Sequence, residues 1–598
     1  MRLVGNHGIG RLSALGGVAV LALMPALAAA QSVTPTREEL DRAQIRQPED
    51  RATGRVTVDG EVERTPCPLA EPRFANVKVT IGGAEFRNLG PVPAAALNDS
   101  FAEFVGREVP IATVCEIRDR AATTIRRMGY LAAVQVPPQR IEANGTVVFD
   151  VLMAKLVGIQ VRGDAGNSEK LIAASLEPLK DKPAFNVREA ERHLLLARDL
   201  PGYDVRLSLR PANTVPGEVV GEVTVTRRQF QMEANVQNYG GHAVGRWGGL
   251  IRAQINDLTG MGDSTILSVF NTAQTREQTV LQAGHSMAIG ADGLRLSGNL
   301  TYAWSRPAIV GGGLKSETLI GSLGLSYPVL RRQASNVRTS FGLDWVDQDV
   351  TFNGTLITRD HLRVLYAQAD FDLIDPDSLV STIGYSAREP KWRAGGSLEV
   401  RQGINALGAS DDCGPGPTFS ACAAPRVPLG RIEGDPSAFV VRASGTFEYR
   451  PSPLIAFSLS PRAQYSSSPL LSYEEMSTGN YTVGRGYDPG TLTGDSGVGF
   501  SAEVAAFSLM PKSIKHVAVQ PFAFFDAAWI WNNDSTFNGI DPQRLYSAGG
   551  GIRAVWGDKA RIDFTVAAPL RKAGVGATRR GDVRFLINFT TQILPWNY

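Results

Sequence analysis

The chain has 598 residues, with 61 basic and 59 acidic side chains and a formal net charge of +2. Charges so evenly balanced and interspersed do not favour a nucleic-acid partner, because such binding requires a clustered basic surface. After residue 30 no apolar run reaches the length of about 18 residues that a membrane-spanning helix needs, which excludes helical membrane spans.

The first 30 residues have the pattern of a secretory signal peptide. A basic start with Arg2 and Arg11 precedes an apolar run over 12–27, and small residues at 28–30 are typical of a cleavage site. The alternative is a membrane-anchoring helix, which the shortness of the apolar run disfavours. We therefore expect residues 1–30 to be a signal for export.

The four cysteines form two couples that are local in the sequence, Cys67 with Cys115 and Cys413 with Cys422. Export permits disulfides, and locality favours this pairing among the three that four cysteines allow. We expect the first bond to tie a linker to the following domain. The second is expected to close a surface loop, and neither couple has the context of a redox motif.

Residues 31–52 are rich in charge and helix formers but almost free of large apolar side chains. A helix that is polar all round has no core to join, so it must float or dock elsewhere. Residues 53–72 mix Pro, Gly, Thr and charged residues, a composition typical of an extended linker.

Residues 73–153 and 154–229 repeat one pattern. Each copy has a strand, two helices, a Gly-Tyr pair and two further strands, with Gly129-Tyr130 in the first copy and Gly202-Tyr203 in the second. Such a repeat predicts two β-α-α-β-β domains in tandem.

Residues 230–598 consist of short runs in which apolar and polar side chains alternate. In one run Phe439, Val441 and Phe447 fall on the face opposite Arg442 and Ser444. A period of two with a polar second face fits a soluble sandwich or propeller, and equally a transmembrane barrel with a wet lumen. The region is long enough for about sixteen strands of the length that outer-membrane barrels use, and such barrels have an even number of strands. We therefore predict a mainly β fold with a 16-stranded antiparallel barrel.

In this order of elements the chain resembles the two-partner secretion transporters of the outer membrane (ShlB/FhaC/HecB type), which couple POTRA domains to a barrel. The residues that carry the resemblance are Cys67, Cys115, Gly129-Tyr130, Val136-Pro137-Pro138-Gln139-Arg140-Ile141, Gly145, Gly484-Arg485-Gly486-Tyr487, Gly494-Asp495-Ser496-Gly497 and Phe524-Phe525-Asp526-Ala527-Ala528. The family carries Arg-Gly-Tyr or Arg-Gly-Phe at the tip of a loop that folds back into the lumen, and Phe-x-Asp-x-Gly on a later strand. This chain departs from the family pattern at Gly484, where valine is common, and at Ala528, where glycine is usual.

The resemblance implies that Arg485, Gly486, Tyr487 and Asp526 hold this loop inside the barrel. The alternation places Asp526 on the luminal face, where an inserted loop would partly desolvate it and create the need for a partner. Arginine binds a carboxylate in bidentate fashion, and the neighbouring glycines allow a tight turn. The alternative is that Arg485 and Asp526 are solvated independently.

The run Gly494, Asp495, Ser496 and Gly497 also looks like the nucleophile segment of a trypsin-like protease. That chemistry requires a histidine base and a buried aspartate, whereas the six histidines of this chain are scattered. We expect a turn in the inserted loop at Gly494, Asp495 and Gly497, and no enzyme activity. No motif indicates a metal site, a cofactor or a nucleotide.

The resemblance implies a protein translocator of the Gram-negative outer membrane with its POTRA domains in the periplasm. Its partners would be membrane lipids and an unfolded exoprotein with an N-terminal secretion domain of the β-helix type. The helix in 31–52 would plug the pore. A barrel-assembly insertase of the same superfamily, a diffusion porin and a receptor that uses the loop near 406–434 remain alternatives. The sequence does not name the cargo.

Overall fold

The computed structural model describes residues 34–40, 67–180, 182–212, 214–308, 312–513, 515–535, 541–557, 559–574 and 579–595. The expected signal peptide at 1–30, most of the helix expected in 31–52 and most of the linker at 53–72 lie outside these ranges. Among the described residues, no helix combines the length and the apolar composition that crossing a membrane requires.

The described chain begins with a short helix, α1 (Arg37–Leu40), which is followed by an α/β domain. The sheet of this first domain has the order β2-β1-β4-β3. Its elements are β1 (Lys78–Arg87), β2 (Glu108–Pro110), α2 (Thr113–Arg127), β3 (Ala132–Gln135) and β4 (Gly145–Met153). Ile117, Ala121 and Ile125 recur along one face of α2 and are fully buried against the sheet.

The first of the two helices expected in this domain is not an α-helix. The chain forms 3-10 turns over Ala94–Ser100 and Ala102–Phe104. The Ser100 hydroxyl donates to the Leu97 carbonyl oxygen at 2.5 Å, a local bond that competes with regular helix geometry. The segment nevertheless packs on the domain core, because Leu97 is fully buried.

The second α/β domain has the predicted order of a strand, two helices and two strands. Its elements are β5 (Lys155–Gly163), α3 (Glu169–Leu176), α4 (Val187–Arg198), β6 (Tyr203–Pro211) and β7 (Glu218–Arg227). The strands lie in the order β5-β7-β6, with β5 parallel to β7. Apolar side chains from both helices and from the sheet form one buried core.

In the described ranges sixteen antiparallel strands form a closed barrel, which confirms the predicted fold class. The strands are β8 (Phe230–Gln237), β9 (Gly248–Asn256), β10 (Ser264–Thr272), β11 (Gln278–Ala288), β12 (Arg295–Ser305), β13 (Leu314–Arg331), β14 (Ser335–Phe352), β15 (Thr355–Ile374), β16 (Trp392–Gly403), β17 (Phe439–Ser452), β18 (Ile455–Ser466), β21 (Ser496–Ala506), β22 (Val517–Trp531), β23 (Gln543–Trp556), β24 (Ala560–Pro569) and β25 (Arg584–Leu594). Two short strands, β19 (Met476–Ser477) and β20 (Thr493–Gly494), pair with each other between β18 and β21. The barrel closes where β25 pairs with β8.

Alternation along the strands gives the barrel an apolar outer surface. On β22, Val517 and Val519 are exposed on the outer face, whereas Gln520, Phe522 and Phe524 point inward and are buried. An apolar outer face of this kind suits a hydrocarbon environment.

The second α/β domain is attached to one end of the barrel, here called the domain end; the opposite end is called the far end. Asp257, in the turn between β9 and β10, is fully buried and accepts hydrogen bonds from the Ser168 hydroxyl at 2.5 Å and the Arg227 guanidinium at 3.0 Å. At a second contact, Arg331 of β13 binds both carboxylate oxygens of Asp199 at 2.6 Å. These charged contacts hold the domain against the turns of the barrel.

Candidate functional site in the barrel lumen

The connection between β18 and β21, residues 467–495, folds back into the barrel and is called the inserted loop here. Every residue from 469 to 497 is buried or half-buried, which an external loop of this length would not achieve. Gly484 has a φ of 115°, a conformation that glycine adopts without steric cost. The loop therefore has the course that the resemblance implied.

Arg485 at the tip of this loop contacts Asp526 on the luminal face of β22. Nη2 and Nε of Arg485 lie 2.8 and 3.2 Å from the two carboxylate oxygens of Asp526, and the backbone N–H of Arg485 donates to the same carboxylate at 2.9 Å. Asp526 is fully buried and also accepts from the Ser547 hydroxyl at 3.0 Å. Its charge is thus compensated by a bidentate arginine and two further donors.

Glu503 and two aromatic rings surround Arg485 and the neighbouring Arg553. Sequence reasoning placed Phe524 in a motif but missed Glu503 and Phe522. Glu503 accepts from Arg485 at 3.0 Å and from Arg553 at 2.8 Å. The two guanidinium groups lie over aromatic rings, Arg485 at 3.6 Å from the centroid of Phe524 and Arg553 at 4.0 Å from that of Phe522. The signal was present in the alternation, which places Glu503 and Phe522 on luminal faces.

Gly486 and Tyr487 fix the tip of the loop against the last strands. A Cβ atom on Gly486 would lie 2.8 Å from the backbone nitrogen of Pro569, so no side chain fits there without displacement. The Tyr487 hydroxyl lies 2.9 Å from the carbonyl oxygen of Tyr546 and 2.8 Å from that of Arg571. The motif thus packs on several barrel strands rather than on β22 alone.

The turn expected at Gly494, Asp495 and Gly497 is not found. Gly494 lies in β20 and Gly497 in barrel strand β21, so the run forms the junction between the inserted loop and the wall. A Cβ on Gly494 would lie 2.5 Å from Ile530, and one on Gly497 would lie 2.6 Å from the same side chain. Close packing therefore accounts for the glycines, and Asp495 between them is fully buried.

The described N-terminal segment, residues 34–40, lies inside the barrel. Thr36 and Glu39 form a capping box, in which the Glu39 carboxylate accepts from the Thr36 N–H at 3.0 Å and the Thr36 hydroxyl accepts from the Glu39 N–H at 3.3 Å. Glu38 accepts from Ser477 of the inserted loop at 2.7 Å and from Arg462 of β18 at 3.1 Å. The segment thus contacts the wall and the loop together.

The expectation that this helix has no core to join needs correction. Leu40 is fully buried in an apolar cluster inside the barrel, and Gln282 of β11 donates to its carbonyl oxygen at 3.0 Å. The cluster comprises Leu40, Leu250, Phe270, Val280, Ala303, Val346, Leu362, Val364, Cys413, Leu429, Leu471 and Tyr473. The polar composition of the segment concealed a single apolar anchor.

The two disulfides join the cysteines that locality paired. Cys67 is bonded to Cys115 in α2, and Cys413 is bonded to Cys422 in the loop between β16 and β17. The second bond was expected to close a surface loop, but Cys413 is buried. It is 1% exposed and belongs to the apolar cluster around Leu40. The loop turns one face inward because its few apolar side chains are buried there.

With this geometry established, comparison with known proteins identifies the family. The model of the haemolysin secretion/activation proteins ShlB/FhaC/HecB matches residues 220–554, more than half of the chain. The chain belongs to this family. The matched range contains both Arg485 and Asp526, and the match confirms the resemblance drawn from the sequence.

Curated relatives agree with this assignment. The heme/hemopexin transporter protein HuxB of Haemophilus influenzae strain 86-028NP is 25% identical over 284 residues, which are 46% of this chain and 48% of HuxB. HuxB of strain Rd is 25% identical over 195 residues, 31% of this chain and 34% of that protein. The chain thus spans about half the length, or less, of the curated relatives it matches.

Solved structures share the fold over nearly the whole chain. CdiB from Escherichia coli has a TM-score of 0.67 at 16% identity and covers 98% of this chain and 100% of its own. CdiB from Acinetobacter baumannii has a TM-score of 0.58 at 15% identity, over 96% and 98% of the two chains. BamA from Haemophilus ducreyi lacking POTRA domains 1–3 has a TM-score of 0.51 at 14% identity, over 85% and 99%.

Proposed function

We propose that this protein is a two-partner secretion translocator of the Gram-negative outer membrane, which exports an unfolded exoprotein through its barrel. The observation that carries the proposal is the inserted loop, held by Arg485 and Asp526 inside a closed barrel that bears two α/β domains at one end. A pore that keeps a removable segment inside is suited to controlled passage. In this proposal the domain end faces the periplasm and the far end faces the outside.

The lumen contains two segments that a passing chain would have to displace. Residues 34–40 are held by hydrogen bonds and ion pairs and by the buried side chain of Leu40. The inserted loop is held by ion pairs and also by buried apolar side chains such as Leu471 and Val483. Polar contacts of this kind exchange readily for water once they open, because the net contribution of each is only about 0.5–3 kcal/mol. We therefore assign residues 31–52 as a plug that vacates the pore during export.

The two α/β domains supply the means of capture. Strand β5 pairs with β7 on one side, and in the described ranges no strand of the sheet pairs with its other side. An extended polypeptide can add to such an edge through main-chain hydrogen bonds, which tolerate many side-chain sequences. This supports recognition of an unfolded exoprotein, for which we propose an N-terminal secretion domain of the β-helix type. The domain boundaries 73–153, 154–229 and 230–598 are part of the proposal.

The resemblance of the fold to BamA favours barrel assembly as a second candidate function. Deletion of the gene separates the two. A translocator predicts that the cognate exoprotein disappears from the cell surface and medium while other outer-membrane barrels keep their normal abundance. An assembly factor predicts that other outer-membrane barrels lose abundance while the exoprotein still reaches the cell surface and medium. Complementation with the full chain must restore whichever product is lost.

A further inference from the structure

The connection between β16 and β17, residues 404–438, is called the disulfide loop here, and it folds inward at the far end of the barrel. Strand β16 ends at Gly403, which pairs with Val364, so the preceding part of β15 has no β16 partner. The disulfide loop occupies that place. The Arg359 N–H donates to the Pro428 carbonyl oxygen at 3.0 Å, and the Gly430 N–H donates to the Asp360 carboxylate at 2.8 Å.

Arg431 ties this loop to the root of the inserted loop. Its side chain is 4% exposed, and its two terminal nitrogens donate to the two carboxylate oxygens of Asp495. The bond from Nη2 is 3.0 Å long. The same guanidinium contacts Glu475 at 3.1 Å and Asp534, in the connection after β22, at 2.8 Å. One arginine thus joins three separate connections at the far end.

Asp495 accepts hydrogen bonds from the backbone as well as from this arginine. It is fully buried and also accepts from the backbone N–H groups of Leu470 at 2.7 Å and Asn533 at 2.6 Å. A buried carboxylate with four donors is stable only while the donors remain, since removal of one partner leaves an uncompensated charge.

Apolar packing makes the two loops and the N-terminal segment one unit. Cys413 and Leu429 of the disulfide loop lie in the same buried cluster as Leu471 and Tyr473 of the inserted loop and Leu40 of the N-terminal segment. Displacement of one segment would expose the apolar side chains of the others to water, which is unfavourable.

We infer that Arg431 and Asp495 are positioning residues that hold the disulfide loop across the far end of the lumen as an outer gate. This gate is separate from the Arg485 and Asp526 contact at the tip, and it gives the Gly-Asp-Ser-Gly run a role. The inference rests on the proposed function, because a gate matters only if the lumen conducts. It requires that the disulfide loop move when a polypeptide passes.

Ionic current through the purified full-length protein in planar lipid bilayers tests the gate without any cargo. Arg431→Ala and Asp495→Asn are each expected to raise the fraction of time in the open state about tenfold, the effect of losing about 1.4 kcal/mol of charged hydrogen bonding. The double variant should open no more than Arg431→Ala alone, because that variant has already lost the contact with Asp495. Arg426→Ala is the matched control, because Arg426 is an exposed arginine of the same loop whose side chain donates to the nearby Ala421 carbonyl oxygen at 3.1 Å. The inference is overturned if these variants keep heat-modifiable barrel migration and yet have the same open fraction as the control.

A cross-link supplies a second test if those variants fail to assemble. A Cβ on Gly430 would lie 3.5 Å from the carboxyl carbon of Asp360, so cysteines introduced by Gly430→Cys and Asp360→Cys are close enough for disulfide formation to be tested. We expect the oxidised pair to block exoprotein release and reductant to restore it, with wild-type protein plus reductant as control. Release at the wild-type rate by the oxidised pair overturns the gate and leaves the proposed function standing. If wild-type protein itself exports nothing, the proposed function fails and the current measurement alone decides the gate.

Discussion

Glu38 and Arg462 are 424 positions apart in the sequence, yet their side chains meet at 3.1 Å inside the barrel. The Ser477 hydroxyl donates to the other carboxylate oxygen of Glu38 at 2.7 Å. This one side chain therefore links the N-terminal segment to both the wall and the inserted loop. Its removal should loosen the segment without disturbing the barrel strands.

Glu38→Ala is predicted to let residues 34–40 leave the lumen more often. With Thr34→Cys as an added thiol, the rate of reaction with a maleimide reagent should rise about tenfold, since two hydrogen bonds to a charged group are lost. Glu71→Ala is the control, because Glu71 makes an exposed ion pair with Arg73 outside the barrel. Equal labelling rates in the two variants would contradict the role of Glu38.

Arg485→Ala is predicted to abolish secretion while the barrel still assembles. The change leaves the fully buried Asp526 without its bidentate partner. This destabilises the inserted position of the loop by about 3–5 kcal/mol. Arg485→Lys should restore little, because an ammonium cannot form the fork. Exoprotein in the medium and heat-modifiable migration of the barrel are the two readouts.

Arg359→Ala is the matched control for Arg485. Arg359 also pairs with a carboxylate, Asp349 at 2.9 Å, but both side chains are substantially exposed, and such pairs contribute little. Secretion should be normal in this variant. Normal secretion by Arg485→Ala at normal abundance would remove the Arg485 and Asp526 contact from the mechanism.

Gly486→Ala is predicted to displace the tip of the inserted loop. Its new methyl group would meet the backbone of Pro569 and Ala568 within 3 Å, which neither partner can relieve by rotating a side chain. Secretion should fall severely with barrel abundance unchanged. Gly241→Ala, where the nearest atom is 3.9 Å away, should secrete normally, and equal secretion by both variants would argue against tight packing at the tip.

Asp257→Ala is predicted to loosen the second α/β domain from the barrel. Arg227 would lose a fully buried partner, and the Ser168 hydroxyl and the Asn167 N–H would lose their acceptor, at a cost of about 3–5 kcal/mol. Limited proteolysis should then cut between this domain and the barrel. Asp164→Ala is the control, because Asp164 contacts the same arginine from an exposed position. Equal resistance of both variants would refute a fixed joint.

The sequence predicted those features that repeat or that form a motif. Alternation of Phe439 and Val441 with Arg442 is enough to predict barrel strands, because one face must meet an apolar medium and the other water. Asp526 could be paired with Arg485 because both lie in motifs of a known family. The contact itself follows from the loop entering the lumen, which no local pattern encodes.

Other features could not be predicted, because the residues that produce them are distant in the sequence. Arg431 and Asp495 are 64 positions apart and lie in irregular connections, where no periodicity indicates a partner. Leu40 is a single apolar residue in a polar segment, and its burial depends on a cluster that the barrel and two loops assemble. Such clusters become visible only once the topology brings the connections together.

The central claim is that a polypeptide passes through the lumen, and site-specific photo-crosslinking to a stalled exoprotein tests it most directly. Strand β18 offers a matched pair of positions, Arg462 on the luminal face and Tyr465, 62% exposed, on the outer face. With a photoreactive residue at each position in turn, we predict cross-links to the exoprotein from position 462 and none from position 465. Cross-links from position 465 alone, or from neither position while secretion proceeds, would contradict passage through the barrel.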